Sequence, residues 1–193
     1  MATLDLISGG RAILGIGSGW CAEEFAALGL DFHQRGKRTD EAMQALRVLW
    51  REDPSTFGGA HFNFERIRSF PKPVQKGGVP ILVGGHSRAA ARRAASYGDG
   101  FYPLTPIVDT DVRKIDFIKE IKELIALLKE ECATVGRKSD GLDITTSATP
   151  NLDIIKRLED IGVTRVSMSS AASDRDGITR SLEKIANDII ARV

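Results

Sequence analysis

The chain of 193 residues is poor in cysteine, histidine, aromatic residues and net charge, and each shortage excludes a class of function. Its two cysteines, Cys21 and Cys132, lie far apart and in no C-x-x-C arrangement, so they make no disulfide framework. The three histidines, His33, His61 and His86, have no partners at metal-ligand spacing, and no metal is expected. With 27 Lys+Arg against 26 Asp+Glu the net charge is +1, which provides no general attraction for nucleic acid or for an acidic membrane. No apolar run approaches the roughly 18–20 residues of a membrane span. Met1 is not followed by a basic segment and an apolar signal core. These absences lead to the expectation of a soluble cytoplasmic protein. The length suits a single domain over residues 1–193.

What is present is an alternation. Short β-branched apolar runs at 12–17, 80–84, 100–104, 142–147 and 164–169 read as five strands. Near-continuous apolar runs of this kind suit strands covered on both faces, as in a parallel sheet. Between them the spacing predicts helices. One covers 39–50, with Thr39 as N-cap and Met43, Leu46 and Trp50 facing inward. A second is capped by Ser87 and runs to Tyr97, with Gly98 as a left-handed stop. The longest, over 111–134, carries Ile118, Ile121, Ile125 and Leu128 on one stripe. Another starts with Pro150 at its first position and turns Ile154, Ile155, Leu158 and Ile161 inward. The last uses Ile178, Leu182, Ile185 and Ile189. Strand and helix in this rhythm define an α/β fold with right-handed parallel crossovers. Residues 53–78 interrupt it: rich in Gly, Pro and aromatics, they read as an insertion containing a small hairpin.

Three glycine-marked turns carry what chemistry the sequence offers. Gly15-Ile16-Gly17-Ser18-Gly19-Trp20 follows a strand, but Trp20 stands where a dinucleotide fingerprint needs its third glycine. Either the strand end is crowded, or bare backbone there approaches a flat ligand with Ser18 as a polar contact. Trp20 is then a lid over a pocket or a plug of core. Glu23 and Glu24 fall in the first turn of the next helix. Gly84-Gly85-His86-Ser87-Arg88-Ala89 approximates a nucleophile elbow, yet every histidine precedes Ser87, so the usual hydrolase triad cannot be assembled. The same turn suits an anion: two glycines expose backbone N–H groups at a helix start, Ser87 adds a hydroxyl, and Arg88, Arg92 or Arg93 offer charge. An ordinary βα turn is the competing reading. Tyr97-Gly98-Asp99-Gly100-Phe101 is turn chemistry, with Tyr102 and Leu104 at the far end of the strand it opens.

Gly10-Arg11, Gly-Ile-Gly-Ser-Gly-Trp at 15–20, Glu23-Glu24-Phe25, Ala27-Leu28-Gly29, Arg35-Gly36 and Arg38-Thr39-Asp40-Glu41 form an ordered series. It continues through Asp53-Pro54, Phe70-Pro71-Lys72-Pro73, Pro80 to Ser87 and Gly98-Asp99-Gly100-Phe101. The series, over about residues 4–104, resembles the bacterial luciferase-like family, in particular its deazaflavin (F420)-dependent oxidoreductases. The resemblance implies a (β/α)8 TIM-type barrel that binds F420, or alternatively FMN, at the C-terminal ends of its strands for hydride transfer. By position it implies Ser18, Gly19 and Glu23 beside the cofactor, and Gly84, Gly85, Ser87 and Arg88 at its phosphate. It assigns no catalytic residue, and Trp20 stands where some members carry a proton-handling Glu.

In that family about three βα units precede the string that here begins at Thr3. Five strands against the eight of a closed barrel imply an incomplete barrel. Its two sheet edges and an apolar inner face would favour a homodimer or another oligomer. Two functions follow as expectations: a flavin- or deazaflavin-dependent oxidoreductase, or a truncated, non-catalytic homologue that binds flavin or a partner.

Overall fold

The structure, a computed structural model, describes residues 1–104, 116–170 and 172–192. It begins with helix α1 (Ala2–Ser8), strand β1 (Leu14–Ile16), helix α2 (Ala22–Ala27), a 3-10 turn at Phe32–Gln34 and helix α3 (Arg35–Arg51). A hairpin follows, β2 (Ser55–Gly58) and β3 (Asn63–Ile67), inside the expected insertion. Then come β4 (Ile81–Gly85), α4 (Arg88–Tyr97), β5 (Gly100–Pro103) and α5 (Phe117–Thr134). The chain continues as β6 (Asp143–Ser147), α6 (Leu152–Asp160), β7 (Arg165–Ser167) and α7 (Arg175–Asp188). The five strands expected from the apolar runs make one parallel sheet in the order β1-β4-β5-β6-β7.

The two faces of this sheet are chemically opposite. Side chains alternate along a strand, and the register fixes which residues share a face. Leu14 pairs with Ile81, Ile16 with Val83, Val83 with Phe101 and Phe101 with Ile144. This apolar set packs under the helices with Met43 and Trp50 of α3, Ala91 and Ala94 of α4, Ile121 and Leu128 of α5, and Leu158 of α6. The other face carries Gly15, Leu82, Gly84, Gly100, Tyr102, Asp143, Thr145, Ser147, Arg165 and Ser167, and none of these belongs to the core. The expectation of strands covered on both faces, with an apolar inner face, is therefore corrected. The residues that enter the core alternate along each strand, and the inner face carries glycines, hydroxyls, a single leucine of β4 (Leu82) and the ion pair Arg165–Asp143. Gly100 is required there: a Cβ would lie 2.4 Å from the Asp143 carbonyl oxygen and 2.6 Å from Leu82.

Other boundaries shift for identifiable reasons. Helix α3 starts at Arg35 rather than at Thr39, whose hydroxyl donates to the Arg35 carbonyl one turn back instead of capping. Asn151, not Pro150, opens α6, because its side chain accepts from the N–H groups of Asp153 and Ile154. Gly98 is extended (φ −85°, ψ 162°) rather than left-handed, and is glycine because a Cβ would meet the Ala94 and Gly100 carbonyls at 3.0 and 3.1 Å. Ser87 caps α4 as expected. Asp116 caps α5, and the 111–115 part of that expected helix lies outside the described residues. On α7, Ile189 beyond its end is buried, but Ile178 and Leu182 stay exposed, since no side chain within the helix is fully covered. Among the described residues no helix is long and apolar enough to cross a membrane.

The insertion is fastened by side chains that bond backbone. The buried Asp5 carboxylate of α1 accepts from the Val74 and Gln75 N–H groups at 2.8 and 3.1 Å and from the Gln75 amide at 2.7 Å. Glu41 of α3 accepts from the N–H groups of Ala60, His61 and Phe62 at 3.0, 2.7 and 2.6 Å. Burial works to raise both carboxyls, but for Asp5 the Gln75 side chain and the two N–H donors outweigh it, and for Glu41 the three hairpin N–H donors do. Both are held below the ordinary carboxylate range. A lowered folded-state pKa contributes stability that is complete above the unfolded value and is lost as pH falls through the folded one. Unfolding midpoints in denaturant should therefore drop as pH is taken below about 4, and the Asp5→Asn, Glu41→Gln double variant should show a flatter acid limb.

Candidate functional site

At the C-terminal ends of the strands the inner face divides into bare backbone and a hydroxyl cluster. Ile16 pairs with Val83 in parallel, and a Cβ on Gly84 would lie 3.4 Å from the Ile16 carbonyl oxygen. The chain therefore leaves β1 at Gly17 next to the Gly84 end of β4, and Gly84 in turn pairs with Tyr102. The two glycine turns singled out in the sequence thus adjoin. A Cβ on Gly15 or on Gly17 would meet nothing within 4 Å, so no crowding inside the described chain demands glycine at either position. Of the two readings of this strand end, the crowded one fails for Gly15 and Gly17. It holds for Gly19 (φ +81°), where a Cβ would lie 2.7 Å from the Phe25 ring. Trp20 is 87% exposed and is not a plug of core.

The turn after β4 is built differently. Gly85 (φ +156°) is glycine because a Cβ would sit 2.5 Å from the Ala90 methyl, so α4 itself requires the bareness. Ser87 Oγ accepts from the Ala90 N–H at 3.3 Å, which leaves its proton to be donated outward. The arginines offered as charge are committed to the outer layer. Arg88 donates to Glu130 at 2.6 Å and Glu131 at 2.8 Å, Arg92 to Glu131 at 2.9 Å, and Arg93 is paired with Asp40. Hydrogen bonds from Arg92 and Arg88 hold the Glu131 carboxyl below its ordinary range, so this is a structural network between α4 and α5. Any anion at the turn is left to backbone N–H groups and Ser87.

Glu23 is exposed in the first turn of α2. Its own backbone N–H and then the Cys21 thiol, 3.2 Å away, keep its carboxyl below the ordinary range. On the far side of the mouth, the Tyr102 hydroxyl is hydrogen-bonded to Ser147 and lies 3.1 Å from Ser167, with the two serine hydroxyls 2.9 Å apart. The sequence points only to Tyr102 through Leu104 at this strand end, because the serines become partners of Tyr102 only when β5, β6 and β7 align. A 400 Å³ cleft at the opposite, N-terminal ends is lined by Arg11, Asp99, Asp143 and Arg165. Asp143 and Arg165 are paired there, and Asp99 is spent on Arg47 and the Ile81 N–H.

Sequentially ordered parallel strands, helices on one side and an open, glycine-marked C-terminal end define an arc of a (β/α)8 barrel with its ligand face at those ends. Residues 1–154 match the family described as luciferase-like monooxygenase, and the chain belongs to that family. An uncharacterized protein of Mycobacterium tuberculosis is 32% identical over 200 residues, which cover 99% of this chain and 65% of the relative. The chain thus spans just under two thirds of that relative's length. An FMNH2-dependent dimethylsulfone monooxygenase of Pseudomonas putida is 33% identical over 122 residues, 62% of this chain and 34% of that enzyme. The fold matches an F420-dependent secondary alcohol dehydrogenase solved with an F420-acetone adduct at a TM-score of 0.77, with 17% identity, over 98% of this chain and 72% of that one.

The two kinds of glycine separate by stability. Gly85→Ala should destabilise the protein by about 1–3 kcal/mol through overpacking against Ala90. Gly17→Ala, which enters open space, should stay within about 0.5 kcal/mol of the parent. Denaturant unfolding measures both, and equal effects would contradict the distinction.

Proposed function

We propose that the chain carries the cofactor-binding half of a flavin- or deazaflavin-dependent oxidoreductase, with F420 as cofactor and FMN as the alternative, transferring hydride to or from a small organic substrate. The observation that supports this most is the open space over Gly15 and Gly17 beside Gly84, a cradle that a Cβ would fill and that suits a flat ring lying on bare backbone. Ser18 and Gly19 then border the ring, with Glu23 on the first turn of α2 beside them. Gly84, Gly85 and Ser87 receive its phosphate through N–H groups and one hydroxyl at the start of α4. Arg88 is the least suited member of the set, because turning to a phosphate would break its bonds to Glu130 and Glu131. When bound, the cofactor supplies the redox chemistry, and the protein supplies anchoring, orientation and exclusion of water. F420 stands first because the fold neighbour with a TM-score of 0.77 is F420-dependent; the FMNH2-dependent relative keeps FMN open. Exposed Ile178 and Leu182 on α7 and Leu4, Leu6 and Ile7 on α1 support a homodimer or other oligomer.

Anaerobic fluorescence titration tests the reading. F420 or FMN should bind, and Gly17→Asp should weaken that binding at least tenfold, about 1.4 kcal/mol, without lowering the unfolding midpoint. If neither cofactor binds, the proposal fails. If Gly17→Asp binds normally, the placement over β1 is wrong. Oxidation of reduced cofactor coupled to an acceptor distinguishes an oxidoreductase from a homologue that only binds flavin or a partner.

A further inference from the structure

A second cleft, of about 380 Å³, opens on the helix side of β1, bounded by Gly17, Ala42, Met43, Leu46 and Phe62. Two arginines of α3, Arg35 and Arg38, also line it, one helical turn apart and hence on one face. Both are half-buried, and among the described residues neither is ion-paired. The carboxylates of the same helix are committed elsewhere: Asp40 holds Arg93, and Glu41 holds the hairpin N–H groups.

Each guanidinium lies over one aromatic ring: Arg35 is 3.9 Å from the Phe32 ring centroid and Arg38 is 4.8 Å from that of Phe62. Of the donors around the two rims, one Arg35 N–H is used, on the Phe32 carbonyl at 3.0 Å. A guanidinium carries five N–H donors in a planar fork that matches carboxylate and phosphate oxygens. Keeping two such groups half out of water without a counter-charge is costly unless an anion joins them. The rest of the wall is mostly apolar, with Phe25, Leu30, Met43 and Leu46, and carries Ser18 and Thr39 as its polar members, room enough for an aromatic or aliphatic body beside the anion.

We infer that this cleft is a binding site for a small organic anion, a carboxylate or phosphate ester on an apolar or aromatic body, held by Arg35 and Arg38. The inference does not rest on the proposed cofactor. That anion is either a separate small acid or the phosphate end of the cofactor itself, since Gly17, Ser18 and Gly19 border both places.

Calorimetric titration of the full chain with phenyl phosphate, benzoate, inorganic phosphate and neutral benzyl alcohol tests it. The aromatic anions should bind saturably and at least tenfold more tightly than the alcohol. Arg35→Gln with Arg38→Gln should weaken them at least tenfold. Arg38→Gln alone, which removes no hydrogen bond, serves if the double variant fails to fold. Ala42→Leu, which fills the cleft and keeps both arginines, should weaken phenyl phosphate and spare inorganic phosphate. No saturable binding, or binding unchanged in the arginine variants, overturns the inference. FMN identifies the source: retained FMN affinity in the arginine variants marks a separate acid. Lost affinity makes the cofactor phosphate the anion, and overturns its placement at Gly84, Gly85 and Ser87 while the arginine site stands.

Discussion

The alternation of the five parallel strands is the constraint on which the rest of the structure depends. Ile81, Val83, Phe101 and Ile144 must face the helices, since they supply the sheet's contribution to the core. A one-residue slip of any strand would exchange that set for Gly84, Tyr102 or Asp143. The opposite face is thereby freed from packing duty. It carries glycines at one side of the strand ends and hydroxyls at the other, a division that a sheet buried on both faces could not keep. The Arg165–Asp143 pair shows the same freedom, since a charge pair on the core face would have to overcome the desolvation of both groups.

Carboxylates that grip backbone N–H groups do the second part of the work. The hairpin makes few apolar contacts with the core, and Asp5 and Glu41 hold its return segment and its tip in place of hydrophobic packing. Lysine and arginine add bonds in both directions: Lys72 of the insertion donates to the Leu49 carbonyl of α3 at 2.8 Å, and Arg51 of α3 donates to the Gly77 carbonyl of the insertion at 2.8 Å. The consequence reaches the ligand side. By pinning Phe62 through its own N–H, Glu41 sets the ring beside which Arg38 lies. A fastening that belongs to the fold therefore shapes the cleft.

Elements that rest on local period and punctuation were legible in the sequence. All five sheet strands, the insertion hairpin, the Ser87 cap and the stripe Ile118, Ile121, Ile125 and Leu128 on α5 follow from apolar spacing and capping chemistry. The helix starts at 39 and 150 were misplaced because Thr39 and Pro150 are plausible openers, and only the hydrogen bonds of Thr39 and Asn151 decide between competing turns. Which face of each strand is covered could not be read from short runs such as Ile81-Leu82-Val83, where both faces are apolar in sequence and only one enters the core. For the site, the glycine turns were visible, whereas the commitment of Arg88 to α5, 42 residues further on, and of Tyr102 to Ser147 and Ser167 are tertiary facts with no local signal.

Charge placement sharpens what the mouth of the barrel can hold. At the turn after β4 every nearby guanidinium has a carboxylate, so an anion there would be bound by backbone dipoles and a single hydroxyl. Across β1, on the helix side, two half-buried guanidiniums have no carboxylate partner among the described residues and stand in a mostly apolar cleft. Neutral donors at a helix start suit a phosphate that stays partly hydrated, while paired guanidinium edges in an apolar cleft favour an anion that brings its own apolar body. The two places differ in mechanism, so a ligand bearing one anion on a flat ring must choose between them. The uncrowded glycines Gly15 and Gly17 stand at the strand end that both places share.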